Sequence, residues 1–173
     1  LKKFLKKNLK NIYTDLDVFH SFYHNQCITI TGTNGKSTTC QLLYEVMKKQ
    51  GFDVNIAGNI GYPILSIKNI KPRSIFVIEA SSYQLDYSKL FNSKYAAIIN
   101  ISADHLERHK TLKNYISAKF KIIKNQKKNS IAFINKHDVY ISKKIKKNHY
   151  KSKIVKVNTR LSDKLSSVYK NNY

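Results

Sequence analysis

Cys27-Ile28-Thr29-Ile30-Thr31-Gly32-Thr33-Asn34-Gly35-Lys36-Ser37-Thr38 is the stretch that decides the fold. Its first five residues are apolar or β-branched and predict a short buried strand. Residues 32–35 predict a tight loop, because Gly32 and Gly35 let the backbone turn its N–H groups toward an anion. Residues 37–50 predict a helix with Leu42, Leu43, Val46 and Met47 on one face and Gly51 as its C-terminal stop. A helix start adds its dipole and free donors to such a loop. Lys36 then reaches the β- and γ-phosphates of a nucleotide, and Ser37 or Thr38 offers a hydroxyl to Mg²⁺. An ordinary glycine-rich turn is the plain alternative, but it does not call for Gly-Lys-Ser-Thr at this point. The usual phosphate-loop pattern has a glycine at position 30, where this chain has Ile30.

Outward from the loop, residues 53–57, 74–78, 95–99, 131–134 and 154–157 predict further strands. Residues 104–126 predict helix in two pieces, and residues 138–147 predict another helix. Strands alternating with helices indicate an α/β fold, a P-loop-type parallel sheet with helices on both faces. The polar segments 32–38, 58–61, 79–84 and 100–105 each follow a predicted strand directly. Ligands of open α/β sheets bind at the carboxyl ends of strands, so these loops are expected to converge there. Residues 1–25 have a mixed polar pattern and are expected to be a linker or the remnant of a preceding unit.

Glu79 follows four apolar residues, and a carboxylate there is costly to bury without a partner. Beside a triphosphate the natural partner is Mg²⁺, with a solvated strand-end glutamate as the alternative. His105, in Asn100-Ile101-Ser102-Ala103-Asp104-His105, is a candidate ligand for a second metal, although an Asp-His pair alone suits a surface histidine as well. His109 is expected to pack near the site. Nothing in the composition distinguishes Lys119 from the many other lysines.

The chain has 173 residues, 42% hydrophobic and 12% aromatic, a globular composition able to bury a core. Its only cysteines, Cys27 and Cys40, form no C-x-x-C pair and predict two buried thiols in a reducing cytoplasm. No apolar run reaches the ~20 residues of a membrane span, and the lysine-rich start lacks the apolar run of a secretory signal. The formal net charge of +22 raises nucleic-acid binding as a possibility. The basic residues are nearly all lysine, with arginine only at Arg73, Arg108 and Arg160, so the forks that read phosphates and base edges bidentately are scarce. The lysines of residues 143–153, with Tyr140 and Tyr150, are explained equally well by a solvated helix face.

Taken together, these segments resemble the Mur ligases, in particular the members that add D-glutamate to UDP-N-acetylmuramoyl-L-alanine. Those members show G-T-N-G-K-S-T, G-N-I-G, E-x-S-S-F-Q-L, N-x-S-x-D-H-L-x-R-H and Y-x-x-A-K in this order. The chain has each element within residues 27–119, with Tyr83 in place of the more usual phenylalanine. Folylpolyglutamate synthetases share the start of the loop but usually have glycine where this chain has Ser37. The resemblance implies an acid–amino-acid ligase using ATP and two Mg²⁺ ions. It implies that Gly32, Thr33, Asn34, Gly35, Lys36, Ser37 and Thr38 bind the nucleotide and that Ser37, Thr38 and Glu79 serve one ion. His105 would serve the other, and Asn59 and Ser81 would line the approach of the muramoyl carboxylate. Lys119 matches a lysine that the family carbamylates, which turns a cation into an anion suited to a metal site.

The resemblance places residues 26–158 in the central ATP-binding domain of such an enzyme and residues 159–173 in its truncated end. The domains that hold the UDP group and the amino acid are expected outside this chain. The expectation is therefore a fragment, a truncated product or a piece of a split enzyme that does not form the amide by itself. A phosphate-loop module without ligase chemistry is the competing function class. It predicts neither the His105 segment nor Glu-Ala-Ser-Ser-Tyr-Gln-Leu, and both are present.

Overall fold

The computed structural model describes residues 7–158; the expected end of the central domain, residues 159–173, lies outside the described residues. Six strands form, β1 (Gln26–Thr31), β2 (Val54–Gly58), β3 (Ile75–Glu79), β4 (Tyr95–Ile98), β5 (Ile131–Asn135) and β6 (Lys153–Val157). They pair in the order β2-β3-β1-β4-β5-β6, and every pairing is parallel. The helices are α1 (Asp15–Phe22), α2 (Lys36–Lys49), α3 (Ser82–Tyr87), α4 (Leu106–His109), α5 (Leu112–Lys124) and α6 (Val139–Lys146). All the expected strands and helices are present. Two helices, α1 and α3, were not expected from the sequence.

Strand alternation sends Cys27, Phe76, Ile78, Ala96, Ile98, Ala132 and Ile134 to one face. There they pack with Leu16 and Phe19 of α1, Leu85 of α3, Phe120, Ile122 and Ile123 of α5, and Ile141 of α6. Ile30 and Val77 point to the other face, against Cys40, Leu43 and Met47 of α2. The helices therefore cover both faces. The apolar stripe of α2 differs from the expected one. Leu43 and Met47 do face the sheet, but Leu42 and Val46 are 59% and 51% exposed. Cys40, Leu43 and Met47 recur at i, i+3 and i+7 and form one narrow stripe, and positions 42 and 46 fall about 100° away from it. Cys27 and Cys40 are both buried free thiols, and burial pushes each up to about 12.

The segment expected to be a linker contains α1, which docks onto the core. Thr14 and Asp17 form a reciprocal capping box at its start. Asp17 is fully buried and accepts hydrogen bonds from the Thr14, Lys89, Leu90 and Phe91 amides and the Ser88 hydroxyl. One carboxylate thus ties α1 to the segment between α3 and β4.

The strand order positions the site. From β1 the chain crosses through α2 to β2 on one side, and from β4 it crosses through α5 to β5 on the other. β1 and β4 are neighbours whose connections leave in opposite directions, which opens a crevice at their carboxyl ends.

Candidate functional site

The loop between β1 and α2 sits in that crevice. Gly35 is the N-cap of α2 with φ +77°, a left-handed conformation that a side chain would strain. It carries no side chain to cap the helix, so the first amides of α2 keep their donors. The Lys36 ammonium donates to the Thr33 carbonyl at 2.8 Å, folded back on its own loop. Across the crevice, the Asn100 carboxamide accepts from the Thr33 and Asn34 amides at 3.0 and 2.9 Å and donates to the Asn34 carbonyl at 2.9 Å.

Glu79 ends β3, paired with Ile30 of β1 and Gly58 of β2, and is 1% exposed. Its carboxylate accepts from the Ser37 hydroxyl at 2.7 Å and the Asn59 amide group at 3.1 Å. Both of these partners are neutral, so dipoles solvate the buried charge. Gly58 lets the second loop come this close. Its φ is +101°, and a Cβ would lie 2.3 Å from the Glu79 carbonyl oxygen. The Asn59 amide donates to that same oxygen at 3.0 Å.

His105 starts α4 with φ +51°, beside Asp104 (3.4 Å) and Glu107 (3.8 Å), its ring 5.0 Å from that of Tyr83. His109, expected to pack near the site, is buried with Nε2 3.0 Å from the Ser82 hydroxyl. Ser81 caps α3 in a reciprocal box with Gln84. Lys119 is 2% exposed and donates from Nζ to the Gly32 carbonyl at 2.6 Å and to Thr31 Oγ1 at 3.4 Å. Burial, reinforced by the Lys36 charge, pulls its ammonium down to about 7.

The structure therefore brings all the expected loops together. Residues 32–38 touch the end of β3 through Ser37–Glu79 and the segment after β4 through Asn100. Asn59 joins through Glu79, and Lys119 reaches the loop from α5. Thr38 is exposed one position beyond Ser37. Ser37 and Glu79 supply hard oxygen donors of the kind Mg²⁺ takes, and the residues fit one such ion. Among the described residues no group of three His, Cys, Asp or Glu converges, so His105 is not gathered with Glu79 into a ready-made cluster. Asn100 and Tyr115 received no role from the sequence. Tyr115 is buried with its hydroxyl 3.1 Å from Thr33 Oγ1. The available hints were that Asn100 is the first polar residue after an apolar strand and that Asn100 and Tyr115 each open one of the motifs carrying the resemblance.

A parallel sheet with a glycine-lysine loop at its switch point and a buried carboxylate on the adjacent strand defines an α/β domain of the phosphate-loop class. Residues 30–172 match the Mur ligase middle domain, and the chain belongs to that family. It is similar to the UDP-N-acetylmuramoylalanine–D-glutamate ligase of Phenylobacterium zucineum, with 45% identity over 111 residues, 64% of this chain and 24% of that protein. The enzyme of the same name from Rickettsia prowazekii is 43% identical over 133 residues, 76% of this chain and 29% of that protein. The chain thus spans less than a third of the length of these relatives. The MurF ligase of Thermotoga maritima in complex with ADP shares the fold, with a TM-score of 0.62 and 22% identity over 81% of this chain and 34% of that one.

Proposed function

We propose that this chain provides the ATP-binding and phosphoryl-transfer part of a ligase that joins D-glutamate to UDP-N-acetylmuramoyl-L-alanine. The observation that carries it is the buried Glu79 carboxylate, 2.7 Å from the Ser37 hydroxyl at the uncapped start of α2. The relatives' names supply the substrates, and the ADP in the Thermotoga maritima structure supports a nucleotide at the loop.

The α2 amides and the Lys36 ammonium, released from the Thr33 carbonyl, hold the β- and γ-phosphates. Ser37, Glu79 and the adjacent Thr38 would hold Mg²⁺, with His105 toward a second ion. Bound there, Mg²⁺ neutralises charge on the transferring phosphoryl group. Asn59 and Ser81 line the approach of the muramoyl carboxylate. A carboxylate oxygen attacks the γ-phosphorus, the bond to the ADP oxygen breaks, and an acyl phosphate forms. The amine of D-glutamate then attacks the acyl carbon, loses a proton, and phosphate leaves.

The test is to replace the matching stretch of the Rickettsia prowazekii relative with residues 26–158 of this chain. The chimera is expected to release phosphate only when both substrates are present and to form the D-glutamyl product, and its Lys36→Ala version to form none. A folded, ATP-binding chimera that joins a different amino acid would overturn the assignment.

Lys119 is the proposed carbamylation site. Its neutral amine attacks CO₂, an N–C bond forms and a proton is lost, leaving an anionic carbamate. An ordinary lysine at about 10.4 is almost fully protonated at neutral pH, whereas one at about 7 is half neutral. Carbamylation at fixed dissolved CO₂ is therefore expected to rise through pH 7 and to disappear about two pH units below it. Carbon-13 NMR with labelled bicarbonate should show a carbamate signal that Lys119→Ala lacks. The same signal persisting in that variant would remove Lys119 from this role.

A further inference from the structure

Asn100 has more contacts with the phosphate loop than any residue so far given a role. Its carboxamide oxygen accepts from both the Thr33 and Asn34 amides, and its nitrogen donates to the Asn34 carbonyl. Its own carbonyl accepts from the Thr33 amide at 3.0 Å. Two residues on, the Ser102 amide donates to Thr33 Oγ1 at 3.0 Å, and that hydroxyl donates back to the Ser102 carbonyl at 3.3 Å. The segment is held in turn from α6, where Asp138 accepts from the Ile101 amide at 2.6 Å and caps its own helix through Ile141.

We propose that Asn100 is the positioning residue of the phosphate loop, whose carboxamide turns the Thr33 and Asn34 amides inward so that only donors from Gly35 onward face the phosphates. This rests on the nucleotide-binding role argued above. A glycine-rich loop with all its amides free has many conformations and must be ordered on binding. Here a single side chain takes up two donors and one acceptor of the loop. What remains is the Gly35 turn and the open start of α2, already aimed beside Glu79. Asn100 suits this role because a carboxamide both accepts and donates and carries no charge near a triphosphate.

Amide hydrogen exchange and calorimetry with Mg·ATP at moderate salt test the proposal on the whole chain. Removing the carboxamide in Asn100→Ala frees the Asn34 amide, whereas Thr33 keeps its bond to the backbone carbonyl of residue 100. Exchange at Asn34 is expected to accelerate at least about tenfold while Thr33 stays protected, and Mg·ATP is expected to bind about tenfold more weakly. Asn100→Asp keeps the acceptor and is expected to keep Asn34 protected. A merely structural residue would not produce that split between variants. If Asn100→Ala does not fold, Asn100→Ser, whose side chain is too short to span both amides, replaces it. Unchanged exchange at Asn34, or affinity within twofold of wild type, overturns the proposal. Lys36→Ala separates the two levels: if it weakens binding and Asn100→Ala does not, only the role of Asn100 falls. If neither weakens binding, the nucleotide site itself is misplaced.

Discussion

Lys36→Ala is expected to weaken Mg·ATP binding to this chain by roughly 10- to 100-fold, the loss of one charge-assisted contact to phosphate. The fold should survive, because Lys36 spends its ammonium on a carbonyl of its own loop, three residues back. The measurement is isothermal calorimetry at about 0.15 M salt or above. A chain of net charge +22 attracts any polyanion at low ionic strength, and screening removes that background. Equal affinity of wild type and variant under those conditions would place the triphosphate elsewhere.

The second large effect concerns stability. Asp17→Ala is expected to destabilise the protein by about 3 kcal/mol, since five donors, two of them buried, lose their acceptor at once. The donors are the Thr14, Lys89, Leu90 and Phe91 amides and the Ser88 hydroxyl, and α1 would come loose from the β3–β4 connection. Burial by itself would raise the Asp17 carboxyl, but the hydrogen bonds from Phe91, Thr14, Ser88 and Leu90 outweigh it and the net shift is downward. A carboxyl whose folded value lies below the unfolded value of about 3.9 contributes stability that is fully present above that pH. The contribution is lost as pH falls through the folded value. Wild type should therefore lose urea resistance steeply below about pH 4, and Asp17→Asn, weaker at neutral pH, should lack that part of the slope. Parallel acid profiles for the two proteins would show that Asp17 carries no such linkage.

Much of the fold was legible because parallel strands covered on both faces are continuous apolar runs, as in Ile75-Phe76-Val77-Ile78. Each strand lies within one residue of its expected ends. The helix α1 was not legible. Its stretch Asp15-Leu16-Asp17-Val18-Phe19 alternates acidic and apolar residues and shows no helical stripe over so short a run, and its start depends on Thr14 and Asp17 bonding reciprocally. The helix α3 is short and shares its residues with a motif, Ser81-Ser82-Tyr83-Gln84-Leu85, whose polar look hid the capping box. On α2 the local pattern offered four apolar positions, and contact with the sheet selected Leu43 and Met47 together with Cys40.

By itself the sequence determined the strand–loop–helix unit at residues 27–50, the alternation that makes the sheet parallel, and the segments from which a site is built. These follow from local rules: side-chain periodicity, glycine at turns and the spacing of lysine and hydroxyls. Only the tertiary structure decided which of those residues meet. Inserting β1 between β3 and β4 brings Glu79 to Ser37 on one side and Asn100 to Thr33 and Asn34 on the other. The same packing buries one lysine among many and brings Lys119 to about 7 against the Gly32 carbonyl. A pairing between residues 42 or 67 positions apart leaves no local pattern, and desolvation depends on everything that surrounds a group once the chain has closed over it.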